Sequence, residues 1–274
     1  MPARLGIIGG GVMGEALLSR LLALGHYEPR QVLTSDPSPE RRHTLTEQYD
    51  IRVTDSNREV IESSQTILLA VKPQVFDRVA NDFQGVRCEV SPLILSILAG
   101  VTLARLEAAI PGWPIVRVMP NTPATVGVGM TAISPGSRTL AEHSELAEHI
   151  FKAVGQVVRV PEALMDAVTG LSGSGPGYVA VVIEALADGG VAAGLPRAVA
   201  NQLAVQTVLG TAQLLQQTGM HPAVLKDRVT SPGGTTIMGV ACLEELGLRS
   251  ALIEAVLAAS KRSRELGAQA GGKN

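Results

Sequence analysis

Near the N-terminus, Gly9-Gly10-Gly11-Val12-Met13-Gly14 directly follows an apolar run at residues 5–8 and opens a helical pattern over residues 13–24. An apolar strand, a G-x-G-x-x-G turn and a helix in that order form the dinucleotide-binding fingerprint of a βαβ unit. Gly9 permits the tight turn, Gly11 lets the backbone approach a pyrophosphate, and Gly14 allows the helix to lie close to the sheet. Val12 and Met13 complete the loop, where free N–H groups and the positive helix end attract an anion. A chain that begins this way is committed to a buried parallel sheet with helices on its faces.

The first half continues in kind. Apolar runs at residues 5–8, 31–35, 66–71, 93–97 and 115–119 alternate with helical segments beginning near Met13, Pro39, Val75 and Leu103, which is the doubly wound α/β pattern. Residues 126–134 read as one more strand, 140–154 as a helix and 156–160 as a last strand. From Glu162 onward only helical patterns remain, near 162–170, 176–194, 196–218, 221–229, 235–246 and 249–266. Breaks fall at Gly194-Leu195-Pro196, at 219–222 and at Ser231-Pro232-Gly233-Gly234. The expected architecture is a Rossmann-like doubly wound domain over residues 1–161, followed by an all-α domain over 162–274.

Composition narrows the ligand. With 274 residues, 46% of them hydrophobic, the chain can fill a substantial core, and a net charge of -2 leaves no cationic excess for a nucleic acid. The ligand is expected to be a small molecule. Cys88 and Cys242 stand far apart without metal-ligand spacing, so no disulfide framework and no metal site are expected; both read as packing residues. The uncharged stretch 198–225 is long enough for a membrane span, yet it carries Asn201, Gln202, Gln206, Gln213, Gln216, Gln217 and His221. It reads as a buried helix outside any membrane, and the Ala-rich, Gly-rich second half suits close helix packing that extends into a subunit interface. The N-terminal run lacks the layout of a secretory signal, which predicts a cytoplasmic location.

Ligands of such sheets bind at the carboxyl ends of the strands, so the residues that leave those ends are the candidates. Ser35-Asp36-Pro37 closes the second strand. Asp36, about twenty residues beyond the loop, is placed to accept a ribose 2′-hydroxyl and repel a 2′-phosphate, which favours NAD(H). Ser35, Ser38, Arg41 and Arg42 are equally placed to surround a 2′-phosphate, which favours NADP(H). Ala70-Val71-Lys72-Pro73 and Asn121, between Pro120 and Thr122-Pro123, leave the same edge further along. In the helical half, Ser231-Pro232-Gly233-Gly234 ends one helix and Thr235-Thr236 begins the next, a backbone geometry that suits a carboxylate, with hydroxyls at Ser231, Thr235 and Thr236. The glycines of 171–178 read as packing positions. His26, His43, His143, His149 and His221 read as surface or capping residues.

Taken together, Gly9 to Gly14, Ala70-Val71-Lys72-Pro73-Gln74, Met119-Pro120-Asn121-Thr122-Pro123, residues 166–176 and residues 225–236 resemble pyrroline-5-carboxylate reductases through nearly the whole chain. The resemblance implies a Rossmann domain, a helical domain interlocked with a second subunit, and dimers assembled into a decamer. It implies hydride transfer from NAD(P)H to a C=N bond. Cofactor contacts would come from Gly9, Gly11, Val12, Met13, Gly14, Ser35, Asp36, Asn57, Ala70, Val71, Lys72, Pro73, Ala99 and Asn121. Ser231, Gly233, Gly234, Thr235 and Thr236 would take the substrate, with Ser231 and Thr236 catalytic and Glu162 on the substrate's nitrogen side. Leu98, bulkier than the small residue usual there, predicts altered packing beside the nicotinamide.

Two other readings share the fold plan. A 3-hydroxy acid dehydrogenase would need a lysine or histidine to exchange the hydroxyl proton, and the helical half offers Lys226 and Lys261. A non-catalytic dinucleotide sensor would use the helical half for dimerisation alone.

Overall fold

The computed structural model describes residues 3–86, 88 and 91–271. One eight-stranded sheet has the order β3-β2-β1-β4-β5-β6-β7-β8. Its centre is β1 (Ala3–Ile8), paired in parallel with β2 (Val32–Ser35) on one side and β4 (Ser64–Leu69) on the other. β3 (Arg52–Thr54) extends the first side, and β5 (Leu93–Ser96) and β6 (Ile115–Met119) extend the second, all in parallel. The strand order reverses at β1, so the glycine loop emerges at the switch point of the sheet, where a crevice opens. β7 (Gly129–Pro135) runs antiparallel to β6, and β8 (Gly155–Arg159) is parallel to β7.

Helices cover both faces. α1 (Val12–Ala23) and α2 (Pro39–Tyr49) precede α3 (Asn57–Ser63), α4 (Phe76–Asn81), α5 (Leu103–Ala109) and α6 (Ala141–Lys152). Leu17, Leu18 and Leu21 of α1, Leu45 of α2 and Ile150 and Phe151 of α6 meet Leu5, Ile7, Leu68 and Val116 in one core. Val60 and Ile61 of α3, Phe76 of α4 and Leu106 of α5 meet Ile8, Ile67, Leu69 and Ile94 in the other. Burying each such side chain contributes roughly 1.5–3 kcal/mol.

The doubly wound sheet matches the expectation, with local differences. β3 and α3 were not foreseen: three residues beginning with exposed Arg52 carry no apolar run, and an edge strand needs none. β4 starts at Ser64 and ends at Leu69, so Ala70 to Pro73 leaves the strand entirely. The expected strand at 126–134 begins only at Gly129, because Pro123 opens a 3-10 turn over Thr122–Val126.

Beyond β8 come a 3-10 turn (Glu162–Leu164), α7 (Met165–Val168) and a π-helical turn (Thr169–Gly173). Then follow α8 (Gly175–Ala192), α9 (Arg197–Thr218), α10 (Pro222–Arg228), α11 (Thr235–Glu245) and α12 (Leu248–Gly271). By compactness, the described residues up to Ser174 group with those from Ala258 on, while Gly175–Leu257 form a second unit. That division falls later than residue 161 because Met165 is wholly buried and Ser263 of α12 donates to Asp166 Oδ1 at 2.6 Å.

In the second unit, α8 and α9 meet through Ala187, Ala200 and Ala204, with Ile183 and Val191 packed beside them. The expectation of a buried helix over 198–225 is corrected here. Only Ala200 and Ala204 of α9 are buried, while Leu203, Val205 and Leu209 are about half exposed (51%, 50% and 47%). Apolar composition reports that a residue wants burial, not which chain supplies it. Cys242 is likewise exposed and Cys88 half-buried, so the packing reading fails for Cys242 within one chain.

Candidate functional site

After β1 the chain turns through Gly9 at φ 102°, a conformation that glycine adopts without strain. A side-chain carbon there would lie 2.7 Å from the Ala70 carbonyl oxygen, and one on Gly14 would lie 2.5 Å from that of Gly9. Strand end, loop and helix therefore close on one another only because both residues are glycine. Gly11 differs: no atom stands within 4 Å of the position its side chain would take. It is the N-cap of α1, with no side-chain cap, so the amides of Val12 and Met13 face an open anion cradle. The loop thus fits a pyrophosphate.

Around this cradle the side chains are tied together. Asp36 Oδ2 accepts from Gly10 N at 2.9 Å, and its Oδ1 accepts from Ser38 N at 2.9 Å. Ser38 in turn caps α2, its hydroxyl accepting from Arg41 N. Arg41 donates from Nε to the Gly10 carbonyl and pairs with Glu15 of α1. Tyr49 donates to the other oxygen of Glu15 at 3.0 Å; burial first, and that carboxylate second, raise the Tyr49 phenol above its ordinary pKa. Arg42 donates to the carbonyls of Asp36 and Pro37 at 2.7 and 3.1 Å. Ser35 gives its proton to Asn57 Oδ1 at 2.7 Å, and Asn57 Nδ2 donates to Asp82 Oδ2 at 2.8 Å. Glu15, Tyr49 and Asp82 escaped the sequence reading, since no local spacing joins residue 15 to 41 or 57 to 82.

Ala70 is bound to the sheet through Ile8 O, exposed Lys72 is the N-cap of the 3-10 turn Pro73–Val75, and Val71 packs on the second core. Pro73 and Ala99 line one cavity of about 670 Å³, together with Asp77, Arg105, Thr169, Ser174 and Arg262. Thr169 and Ser174 had a signal in the sequence, the serine-glycine segment read as packing. A side-chain carbon on Gly173 would lie 2.6 Å from Met119 Cε, so glycine is needed there for close packing, but the positions where Gly175 and Gly177 would carry side chains are open. Leu98 is buried in the second core and is not among the residues that line the cavity. Asn121 accepts from Met130 N at 2.9 Å and donates to Ser172 O at 3.2 Å, which makes it a brace between β6, β7 and the π-turn.

Glu162 is engaged elsewhere. It pairs with buried Arg117 of β6 at 3.1 Å and accepts from Leu103 N at the start of α5, lining a separate hollow of about 580 Å³. That hollow shares no residue with the cavity at Pro73 and Ala99.

In the second unit, Gly233 stands at φ 64° and Gly234 donates its N–H to Ser231 O at 3.0 Å, closing the turn before α11. Gly234 is the N-cap and no side chain caps the helix, so the amides of Thr235 and Thr236 open the first turn toward solvent. Ser231 and Thr235 are exposed and Thr236 is half-buried. Lys226, the candidate base of a hydroxy acid dehydrogenase, pairs with its neighbour Asp227 at 2.7 Å. His221 caps α10, Leu140 N donates to His143, and His26 Nδ1 lies 2.7 Å from His149 Nε2. Among the described residues, no three His, Cys, Asp or Glu side chains gather as a metal site, and no helix is long and apolar enough to cross a membrane.

Residues 162–266 match the family model for pyrroline-5-carboxylate reductase dimerisation, and residues 4–100 match that for NADP oxidoreductases, coenzyme F420-dependent. The helical region is therefore a homo-oligomerisation module. The chain is 58% identical to the pyrroline-5-carboxylate reductase of Synechocystis over 97% of its own length and 99% of the relative's. The solved pyrroline-5-carboxylate reductase of Coxiella burnetii superposes with TM-score 0.91 at 34% identity, over 97% of this chain and 99% of that one. The Plasmodium falciparum pyrroline carboxylate reductase, solved with NADP bound, superposes with TM-score 0.85 at 30% identity, over 97% and 98%. A glycine cradle at the sheet's switch point and an uncapped helix start after Ser231-Pro232-Gly233-Gly234, in a chain alike from end to end, place this protein in the pyrroline-5-carboxylate reductase family.

Proposed function

We propose that the chain reduces 1-pyrroline-5-carboxylate to L-proline with NADH or NADPH, the last step of proline biosynthesis. The observation that carries this reading is the full-length likeness to a reductase of that name at 58% identity. When bound, the reduced nicotinamide supplies a hydride to the C=N carbon; one proton must reach the nitrogen to give the amine. The chain's part is to bind, align and protonate.

The amides of Val12 and Met13 hold the pyrophosphate, with Gly9 and Gly14 shaping the turn. Ser35, Asp36 and Asn57 form the adenosine side, and Val71, Lys72, Pro73, Ala99 and Asn121 the remaining cofactor wall. The amides of Thr235 and Thr236 take the substrate carboxylate, because the N–H of Gly234 is already given to Ser231. Gly233 makes the turn, Ser231 adds a hydroxyl, and the Thr236 hydroxyl orients the imine nitrogen and passes the proton. Residues 1–161 serve as the dinucleotide domain and 162–274 as the dimerisation and substrate domain. The assembly is a decamer built from dimers, located in the cytoplasm.

Oxidation of each reduced coenzyme is followed with pyrroline-5-carboxylate. Turnover is expected, and Thr236→Ala should lower kcat/KM by about a hundredfold while Thr236→Ser keeps most of it. Full activity in Thr236→Ala removes that role, and no turnover with either coenzyme sinks the reading. Sedimentation of the intact protein tests the decamer.

A further inference from the structure

We infer that Asp36 makes this chain selective for the coenzyme that lacks a 2′-phosphate, NADH over NADPH. The inference rests on the dinucleotide-binding reading of the Gly9 to Gly14 loop and adds to it the identity of the coenzyme.

The sequence offers two opposed sets of groups at the end of β2: one acid, Asp36, against four phosphate-type donors, Ser35, Ser38, Arg41 and Arg42. The structure separates them by what each is already doing. The Ser35 proton goes to Asn57. The Ser38 hydroxyl accepts from Arg41 N to cap α2. Arg41 spans from the Gly10 carbonyl to Glu15, and Arg42 is held on the carbonyls of Asp36 and Pro37 with Asp55 beside it. Ser35, Arg41 and Arg42 are committed to the fold as donors, which leaves the exposed Ser38 hydroxyl as the one whose proton is not engaged.

Asp36 is committed differently. Its two oxygens accept one backbone amide each, from Gly10 and Ser38, and these bonds fix the carboxylate against the glycine loop. An ionised carboxylate has about four acceptor positions, so positions remain for a ribose hydroxyl to donate into. A 2′-phosphate brings only acceptors and negative charge at neutral pH, and would meet the carboxylate as a like charge. Nor does the neighbourhood offset it: Asp36, Glu15 and Asp55 outnumber Arg41 and Arg42 among the side chains joined here. To receive the phosphate, the site would have to pull Arg41 from Glu15 or Arg42 from two carbonyls, and Asp36 would have to leave two amides.

The test measures binding without imine substrate. NADH and NADPH are titrated separately into the intact protein by calorimetry, and ADP is compared with adenosine 2′,5′-bisphosphate as a competitor. NADH should bind at least about tenfold tighter than NADPH, and ADP should compete better than the bisphosphate. Asp36→Asn, which removes charge but keeps shape, and Asp36→Ser should each move the NADH to NADPH ratio toward NADPH by about tenfold. Equal affinity in the wild type, or tighter NADPH, overturns the selectivity and leaves the reductase reading standing. Variants that lose both coenzymes in equal proportion overturn the role of Asp36, which would then only brace the loop. No binding of either coenzyme overturns the dinucleotide reading itself, and this inference with it.

Discussion

The sheet unit and the helical unit spend similar apolar content in opposite ways. Around the sheet, two cores close within one chain, and Leu5, Leu17, Leu45, Phe76 and Phe151 are all but inaccessible. In Gly175–Leu257, three alanines are the buried residues of the local cluster, while leucines and valines along α9 stay about half exposed. The first unit is stabilised by its own packing. The second has the surface of a structure completed by another copy, as the dimerisation match at 162–266 requires.

Substitutions that separate intramolecular from intermolecular burial test this contrast. The largest effect is expected from Phe151→Ala, which empties a fully buried site and should cost about 3–5 kcal/mol. The change in Tm it causes should be the same in a dilution series; a concentration-dependent change would mean that the sheet unit also leans on its partner. Next is Leu209→Glu, a charge placed on an exposed apolar position of α9. It should raise the dimer dissociation constant by about a hundredfold, roughly 3 kcal/mol, in sedimentation velocity. The single tryptophan, Trp113, lies in the sheet core and should keep its native emission, whereas loss of that emission would break the contrast.

Gly14→Ala should cost about 2 kcal/mol, since the added carbon meets the Gly9 carbonyl oxygen at 2.5 Å, and should weaken coenzyme binding without changing the oligomer. Unaltered coenzyme affinity would show that the loop does not depend on that close approach. The smallest effect belongs to Glu148 on α6, whose carboxyl the Arg159 hydrogen bond holds below its ordinary pKa. A lowered folded-state pKa gives stability that is present above the ordinary carboxylate range and lost as pH falls through the folded value. Glu148→Gln should therefore lower stability by about 0.5 kcal/mol at neutral pH, and the difference should vanish in acid. A Tm difference that persists in acid would assign the effect to packing.

The same contrast explains what the sequence disclosed. β1, the glycine loop and α1 were legible because their constraint is local: Gly9 and Gly14 sit five residues apart and meet across one turn. Asp36 was legible by its distance from the loop, yet its bond from Gly10 was not, since Gly10 reaches it only once β2 lies beside β1. The pairing of Glu162 was hidden for the same reason, because its partner Arg117 belongs to distant β6. Short β3 gave no signal, an edge strand of three residues needing little apolar pattern. The exposure of α9 was hidden from composition, because a leucine that faces a partner and one that faces its own core are written alike.

α12 crosses from one unit to the other along the chain, and residues from Ala258 on group with the sheet. Gly267 lies close enough to Gly100 that a side-chain carbon would stand 2.8 Å from the Gly100 carbonyl oxygen. In the order of synthesis, the sheet unit is therefore begun first and finished last, with the helical unit inserted between. A ribosome that has released residue 174 has made every strand but not the segment that carries Ser263 to Asp166. The helical unit is thus synthesised before the segment that completes the nucleotide half.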